Sequence, residues 1–243
     1  MFPKVLVASP TASAKHYCFE EWLDNVMSFK YPNFDVRLFD NTVGDNGKYV
    51  DKCNDHYQRN FGADEQFLQI KSKASPKHPV KKRIATSHEE CRKYALENGY
   101  DYLLHLESDV FPEADVIERL MEKRKKVIGA LFYRDHGIFR AVMLQKRIYS
   151  SPHNIKSVNF EAHEDQYFVD GSVKKIASVG LGCVLIHKSV LEKIQFRYDP
   201  KQDVFPDSLF SQDCFMKNIT IWVDTSQVCR HENKSWALID VKR

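Results

Sequence analysis

The chain has 243 residues, 43% of them hydrophobic and 28% charged, with a net charge of +3. That length admits one large α/β domain or two small ones, and the composition is ordinary for a soluble globular protein. The weak charge gives no electrostatic case for nucleic acid, no apolar run reaches membrane-spanning length, and six scattered cysteines without a C-x-x-C pair exclude a zinc knuckle or disulfide scaffold. The cysteines read as small buried hydrophobes, and a reducing cytoplasm is the expected location.

The N-terminal apolar piece is too short for a signal peptide, so Val5–Ala8 is predicted as a buried strand stopped by Ser9-Pro10-Thr11. Tyr17, Phe19, Trp22, Leu23 and Val26 recur at helical spacing and predict a helix over 17–27. Phe34–Phe39 is a second strand ending at Asp40-Asn41. Strand, helix, strand in this order predicts parallel neighbours, with Pro10-Thr11 and Asp40-Asn41 side by side at one edge. Asp40 is placed there to accept hydrogen bonds from a ribose or base, and Asp-Asn is equally good turn chemistry. A helix is predicted over 48–61, with Tyr49, Cys53 and Tyr57 on one face. The basic stretch from Lys71 to Arg83 reads as a solvated loop or a flap that meets phosphates. Ile84–Glu97 reads as a helix stopped by Asn98-Gly99; Arg92 on it is a candidate phosphate contact or a surface arginine.

The centre of the chain is YDYLLHLESDVFP, residues 100–112. Its apolar cluster predicts a strand ending at Leu106. Glu107 and Asp109 follow, with small Ser108 between them. Residues at i and i+2 of an extended chain point the same way, so the two acids converge past the strand end, where open α/β sheets collect ligands. Such a pair suits Mg²⁺ or Mn²⁺ bridging to phosphates. The competing reading makes Glu107 and Ser108 a cap for a helix opened by Pro112.

Beyond it, a helix over 114–126 ends in a solvated basic run. Strands are predicted at 127–133 and 139–144, with His136-Gly137 in a hairpin loop between them. Residues 149–172 read as irregular, and Glu161, His163, Glu164 and Asp165 carry no metal spacing. Gly180-Leu181-Gly182 precedes the strand Cys183–Ile186, where glycine permits close approach by another element or a ligand. A short helix follows at 187–194. Asp207–Phe215 is read as a helix start with Asp213 in its first turn, a cap or a general base held at a cleft. Ile219–Val223 is a strand, and Val228–His231 follows a turn; His231 is a lone histidine or a metal ligand.

Taken in order, VLVASPT, VRLFDN, YDYLLHLESDVFP, KKVIGALFYR, VGLGCVLIHKSVLEKI, SQDCFMKN and VCRHEN resemble the nucleotide-sugar-dependent glycosyltransferases of GT-A fold, close to the family 2 type. The resemblance covers most of the chain and implies one GT-A domain: a Rossmann-like, mostly parallel central sheet flanked by helices. Residues 1–110 would be its nucleotide-binding half and 111–243 its acceptor and sugar half. It assigns the donor to Pro10, Thr11, Asp40, Glu107, Ser108, Asp109 and Gly182, the Mn²⁺ or Mg²⁺ ion to Asp109 and His231, and the catalytic base to Asp213; Arg92 stays a donor candidate on its own helix position, since the family's Arg-Asn pair there falls nearest His88 and Glu89. The implied donor is a UDP-sugar and the acceptor a glycan, another hydroxyl compound or a nucleic acid. Two departures stand out: Glu107 replaces an aspartate, and Gln212 replaces the acid before Asp213. A sugar-nucleotide nucleotidyltransferase is disfavoured because SPTASAK lacks a glycine-rich phosphate loop. A metal-dependent nuclease and a non-enzymatic sugar- or nucleic-acid-binding module are the remaining alternatives.

Overall fold

The computed structural model describes residues 2–62, 65–135, 138–141, 145–149, 158–162, 169–202 and 204–232. Its core is a twisted sheet wrapped by helices. Strand β1 (Val5–Thr11) leads through a 3₁₀ turn (Ser13–Cys18) into α1 (Phe19–Met27) and returns as β2 (Phe34–Asp40). Phe19, Trp22, Leu23 and Val26 lie on one face of α1 and are buried, the i, i+3, i+4, i+7 stripe that a core-facing helix needs. Helix α2 (Lys48–Phe61) buries Tyr49, Cys53 and Tyr57. Strand β3 (Phe67–Lys71), which periodicity did not reveal in so short a run, then pairs parallel to β2.

Helix α3 (Val80–Glu97) begins four residues before the predicted start. Lys81, Lys82 and Arg83 are therefore its first turn and no flap; Pro79 sets the chain up for the helix from the N-cap position. Gly99, at φ +71°, takes the left-handed conformation that turns the chain out of α3. Strand β4 (Tyr102–Leu106) follows, then β5 (Val110–Phe111), α4 (Val116–Glu122) and β6 (Val127–Asp135). Leu103, Leu104 and Leu106 are fully buried, each contributing roughly 1.5–3 kcal/mol.

The remaining strands are β7 (Ile138–Ala141), β8 (Gln145–Tyr149), β9 (Val158–Ala162), β10 (Val173–Ile176), β11 (Cys183–His187) and β12 (Ile221–His231). Helices α5 (Lys188–Leu191) and α6 (Pro206–Met216) separate the last two. The strand order is β10-β12-β6-β11-β4-β1-β2-β3, with β5 on β12 and β7 on β6, so β4 lies in the interior of the sheet. Pairing is parallel through β4, β1, β2 and β3 and between β6 and β12, and antiparallel where β11 is inserted. Part of the stretch expected to be irregular is ordered: β8 and β9 form a separate two-stranded sheet that includes Glu161. His136-Gly137 and His163, Glu164 and Asp165 lie outside the described residues. The two late segments, 219–223 and 228–231, belong to one strand whose register shifts between Asp224 and Val228. All six cysteines are buried and free. Among the described residues, no helix is long and apolar enough to cross a membrane.

Candidate active site

The register of β1 against β2 sets Pro10 beside Phe39 and Thr11 beside Asp40, the predicted edge. β4 lies on the other side of β1. After Leu106 the chain does not stay extended. Val110 N–H donates to the Glu107 carbonyl at 3.0 Å, closing a turn over Glu107, Ser108 and Asp109, while Glu107 N–H donates to the Gly182 carbonyl at 2.9 Å. The two acids thus converge through a turn, and Pro112 opens no helix. Ser108 is fully buried, its hydroxyl 3.0 Å from that of Thr11. It ties the β4 end to the β1 end and has no surface to offer a donor.

β5 brings the last ligand in. It pairs antiparallel with the end of β12, setting His231 beside Val110, and Glu232 N–H donates to the Asp109 carbonyl at 2.9 Å. His231 Nε2 consequently stands 3.7 Å from Asp109 Oδ2. One ligand atom each from Glu107, Asp109 and His231 lies within 4.8 Å of the others. Two carboxylate oxygens and an imidazole nitrogen form a donor set that fits Mn²⁺.

Sequence reasoning missed Lys15. It sits in the 3₁₀ turn, buried, with Nζ 2.8 Å from Asp109 Oδ1 and 3.4 Å from Glu107 Oε2. Burial opposes its charge, but the Asp109 and Glu107 carboxylates overcome that and raise its pKa. Burial likewise favours a neutral Asp109, yet the Lys15 charge and His231 hold its pKa below the usual carboxylate range. The only sequence signal was a lysine soon after a strand end, too common to read.

Of these groups Lys15 and Glu107 line a cleft of ≈ 370 Å³, whose walls also include Pro10, Thr11, Asn41, Thr42 and Leu181. Such a volume lies within the ~300–1,000 Å³ typical of ligand sites. Val80, Arg83, Ile84 and His88, one stripe of α3, form another wall, and Pro206 and Asp207 of α6 a third. A larger cavity of ≈ 550 Å³ lies against a different face of α3, lined by Lys82, Glu89, Lys93 and Arg197 among others. It does not reach the acid trio.

Several predicted donor residues are employed otherwise. Asp40 is fully buried; its carboxylate accepts from Thr42 N–H at 3.0 Å and from Lys71 Nζ at 2.7 Å, and it is Asn41 and Thr42 that face the cleft. Arg92 is turned inward, its guanidinium held by Glu89 at 2.6 Å and the Leu191 carbonyl at 2.7 Å, so it is no phosphate contact. Arg83, unlike Arg92, does line the cleft, and its buried Nε has no hydrogen-bond partner among the described residues. At Gly182 a Cβ would meet the Phe132 ring at 2.5 Å, so the glycine makes room for a phenylalanine and leaves Leu181 to line the cleft.

Asp213 is not in the first turn of α6. Pro206 starts that helix, so Asp207 occupies the first turn and Asp213 the second half. Asp213 forms a two-point ion pair with Arg197 at 2.8 and 2.9 Å and is not among the described residues lining the cleft. Asp207 does line it; burial, with the Glu107 charge adding to it, pushes this carboxyl up to about 6. Beneath the cleft, His105 Nδ1 donates to the Leu181 carbonyl at 2.6 Å, and its Nε2 is 2.6 Å from His88 Nδ1. Burial drives the His105 pKa down to about 3 and that of His88 well below the ordinary value. Both rings are thus neutral, and His88 Nδ1–H must be the donor to His105.

No family model and no curated protein sequence matches this chain. Solved structures do. GalNAc-T7, solved with UDP, GalNAc and Mn²⁺, superposes with a TM-score of 0.63 at 9% identity, over 96% of this chain and 44% of that one. The chain has the GT-A glycosyltransferase fold. The mannosyltransferase PcManGT from Pyrobaculum calidifontis, in complex with GDP-Man and Mn²⁺, gives 0.57 at 13% identity over 95% and 57%. A197 from STIV gives 0.51 at 16% identity over 95% and 86%. The chain thus spans about half the length of the first two structures and most of the third.

Proposed function

We propose that this GT-A chain is a glycosyltransferase that moves a sugar from a nucleoside diphosphate donor, a UDP-sugar by preference, to an acceptor hydroxyl. The observation that carries this reading is the convergence of Glu107, Asp109 and His231 at the end of an interior strand, opening on a cleft that also takes the ends of β1 and β2. In this reading residues up to 110 hold the nucleotide and the rest hold sugar and acceptor. Pro10, Thr11, Asn41 and Thr42 bound the nucleoside, Glu107 reaches the ribose, and Arg83 and Lys15 offer positive charge to the diphosphate. Glu107, Asp109 and His231 would hold Mn²⁺, which when bound stabilises the charge on the departing diphosphate.

In the transfer, the acceptor oxygen bonds to the anomeric carbon as the carbon–oxygen bond to the diphosphate breaks. The diphosphate leaves with the electron pair, and the acceptor proton passes to a carboxylate of the protein. By its place in the motif that carboxylate is Asp213, and attack opposite the leaving group inverts the anomeric centre. Asp213 must then release Arg197 on acceptor binding. A second reading, favoured by the position of Asp207 in the cleft wall and its raised pKa, gives the proton to Asp207. The acceptor is a glycan or another hydroxyl compound; the cationic first turn of α3 keeps a nucleic acid within the proposal.

The test is a panel of UDP- and GDP-sugars assayed with and without Mn²⁺ for melting-temperature shift and for nucleotide release. A ligand that binds only the folded state raises the midpoint, and Mn²⁺-dependent stabilisation by one donor is expected. A chain that no nucleotide or nucleotide sugar stabilises under either condition is not a glycosyltransferase.

A further inference from the structure

A side chain of the chain itself stands against the two carboxylates of the candidate metal site. Lys15 Nζ contacts one oxygen of Asp109 at 2.8 Å and one of Glu107 at 3.4 Å, the two carboxylates of the metal-ligating trio. A divalent ion of this kind binds oxygen at about 2.0–2.2 Å. An ion that takes the same two oxygens, Asp109 Oδ1 and Glu107 Oε2, cannot share them with the ammonium, on grounds of space and of like charge. We infer that Lys15 and the divalent cation are mutually exclusive occupants of this site, and that on metal binding Lys15 transfers its charge to the donor's diphosphate.

Three observations support the inference, which rests on the glycosyltransferase reading only for the identity of the anion. First, Lys15 is 7% exposed and Asp109 1%. With so little solvent at hand, neither charge tolerates the loss of its partner without a replacement. Second, the cluster sets Glu107 and Asp109 against one permanently charged group, Lys15, with His231 adding a charge only when protonated, so a doubly charged ion is the better electrostatic match and has a reason to displace the lysine. Third, Lys15 lines the same cleft as Arg83, so a small rotation takes its ammonium into the cleft. Arg83 adds a second positive charge to that lining, and its buried Nε has no hydrogen-bond partner among the described residues. Displaced ammonium and incoming diphosphate satisfy one another. Lys15 is therefore a positioning residue: it holds the two acids at ligand spacing before metal arrives, and it penalises metal that comes without nucleotide.

The experiment measures Mn²⁺ binding directly, by the electron paramagnetic resonance signal of the free ion, for wild type and Lys15→Met without nucleotide. Lys15→Met leaves the carboxylates unpaired and should bind Mn²⁺ at least about tenfold more tightly. Mn²⁺ should also raise its melting temperature more than it raises that of wild type. With Mn²⁺ saturating, UDP should bind Lys15→Met about tenfold more weakly, since a charged contact to the diphosphate is gone. If Lys15→Met is too unstable to purify without metal, recovery of its fold on adding Mn²⁺, but not Na⁺, reads out the same exchange, and Lys15→Gln supplies the affinity series. Mn²⁺ affinity equal to or below wild type in both variants overturns the inference. Tight Mn²⁺ binding by Lys15→Met in a protein that binds no nucleotide leaves the exchange standing and sinks the glycosyltransferase reading instead.

Discussion

Asp40 ends β2 and Asp109 follows β4, the two parallel strands that flank β1; both are essentially without exposure, and each meets a lysine. Around Asp40 supply equals demand: Thr42 donates from backbone and hydroxyl, and Lys71, itself 40% exposed, closes the set and reaches Asp45 as well. Around Asp109 there is a surplus. Glu107 adds a second negative charge to the same buried lysine, and the other Asp109 oxygen has His231 at 3.7 Å. Burial and ion pairing alone therefore do not distinguish a structural carboxylate from a reactive one. Uncompensated charge with lone pairs to spare does, because it creates a demand that only a further cation meets.

Removing each acid should separate the two regions most sharply. Asp109→Ala is expected to abolish Mn²⁺-dependent donor binding and with it sugar transfer, read as loss of the Mn²⁺-dependent melting shift. Equal binding of UDP and Mn²⁺ by wild type and variant would put the two aspartates back in one class. The carboxylates of α6 come next. Asn at the position of the true base should cut transfer by at least ~10²-fold with donor affinity intact. Measuring Asp207→Asn beside Asp213→Asn assigns the role. If it is Asp207, which must be deprotonated to act, wild-type kcat/KM falls as pH drops through about 6.

At Asp40 the expected effect is on stability. Asp40→Asn should cost about 1–3 kcal/mol by leaving a buried network short of an acceptor, seen in urea unfolding, with transfer changed only a few-fold. A collapse of donor affinity instead would return Asp40 to the nucleotide. At neutral pH the histidine pair beneath the cleft has the smallest effect, because its influence on stability opens only in acid. Both rings bind protons less readily when folded than the ~6.5 of a free imidazole, so the unfolded chain takes up more protons below that pH. Stability should therefore fall as pH drops from about 6.5 toward 3, by at most about 1.4 kcal/mol per pH unit for each ring. His88→Leu combined with His105→Leu should flatten the urea midpoint across this range; an unchanged slope would mean that other groups dominate it.

What the sequence revealed follows from periodicity and from its limits. The β1–α1–β2 unit, α2 and the interior β4 were readable because apolar spacing and a local turn decide them. The residues of the acid turn were readable as a motif, but their convergence was argued from an extended chain, whereas hydrogen bonds to Val110 and Gly182 bend it. Lys15 and Asp207 were not readable at all, and Arg83 only as one member of a basic stretch read as a solvated loop or a phosphate-meeting flap. Each is an ordinary charged residue whose role comes from a neighbour remote in sequence. Arg92 differs: its partner Glu89 lies three residues away on the same helix face, so the pair that turns it inward is local. Asp213 lies beyond the expected first turn because Pro206 opens α6, which gives the first turn to Asp207 and the second half of the helix to Asp213.

The pairing of β5 with β12 has a kinetic side. The trio joins a turn in the middle of the chain to the end of the last described strand, and Tyr17 fastens that end by donating to the Glu232 carbonyl across 215 residues of sequence. Contacts of such separation carry a large loop-closure cost and belong to the slower stages of folding. A nascent or partly folded chain thus presents Glu107 and Asp109 without His231. Full metal affinity then appears only once β12 has docked, so Mn²⁺ uptake followed in time during refolding would mark the arrival of the last strand.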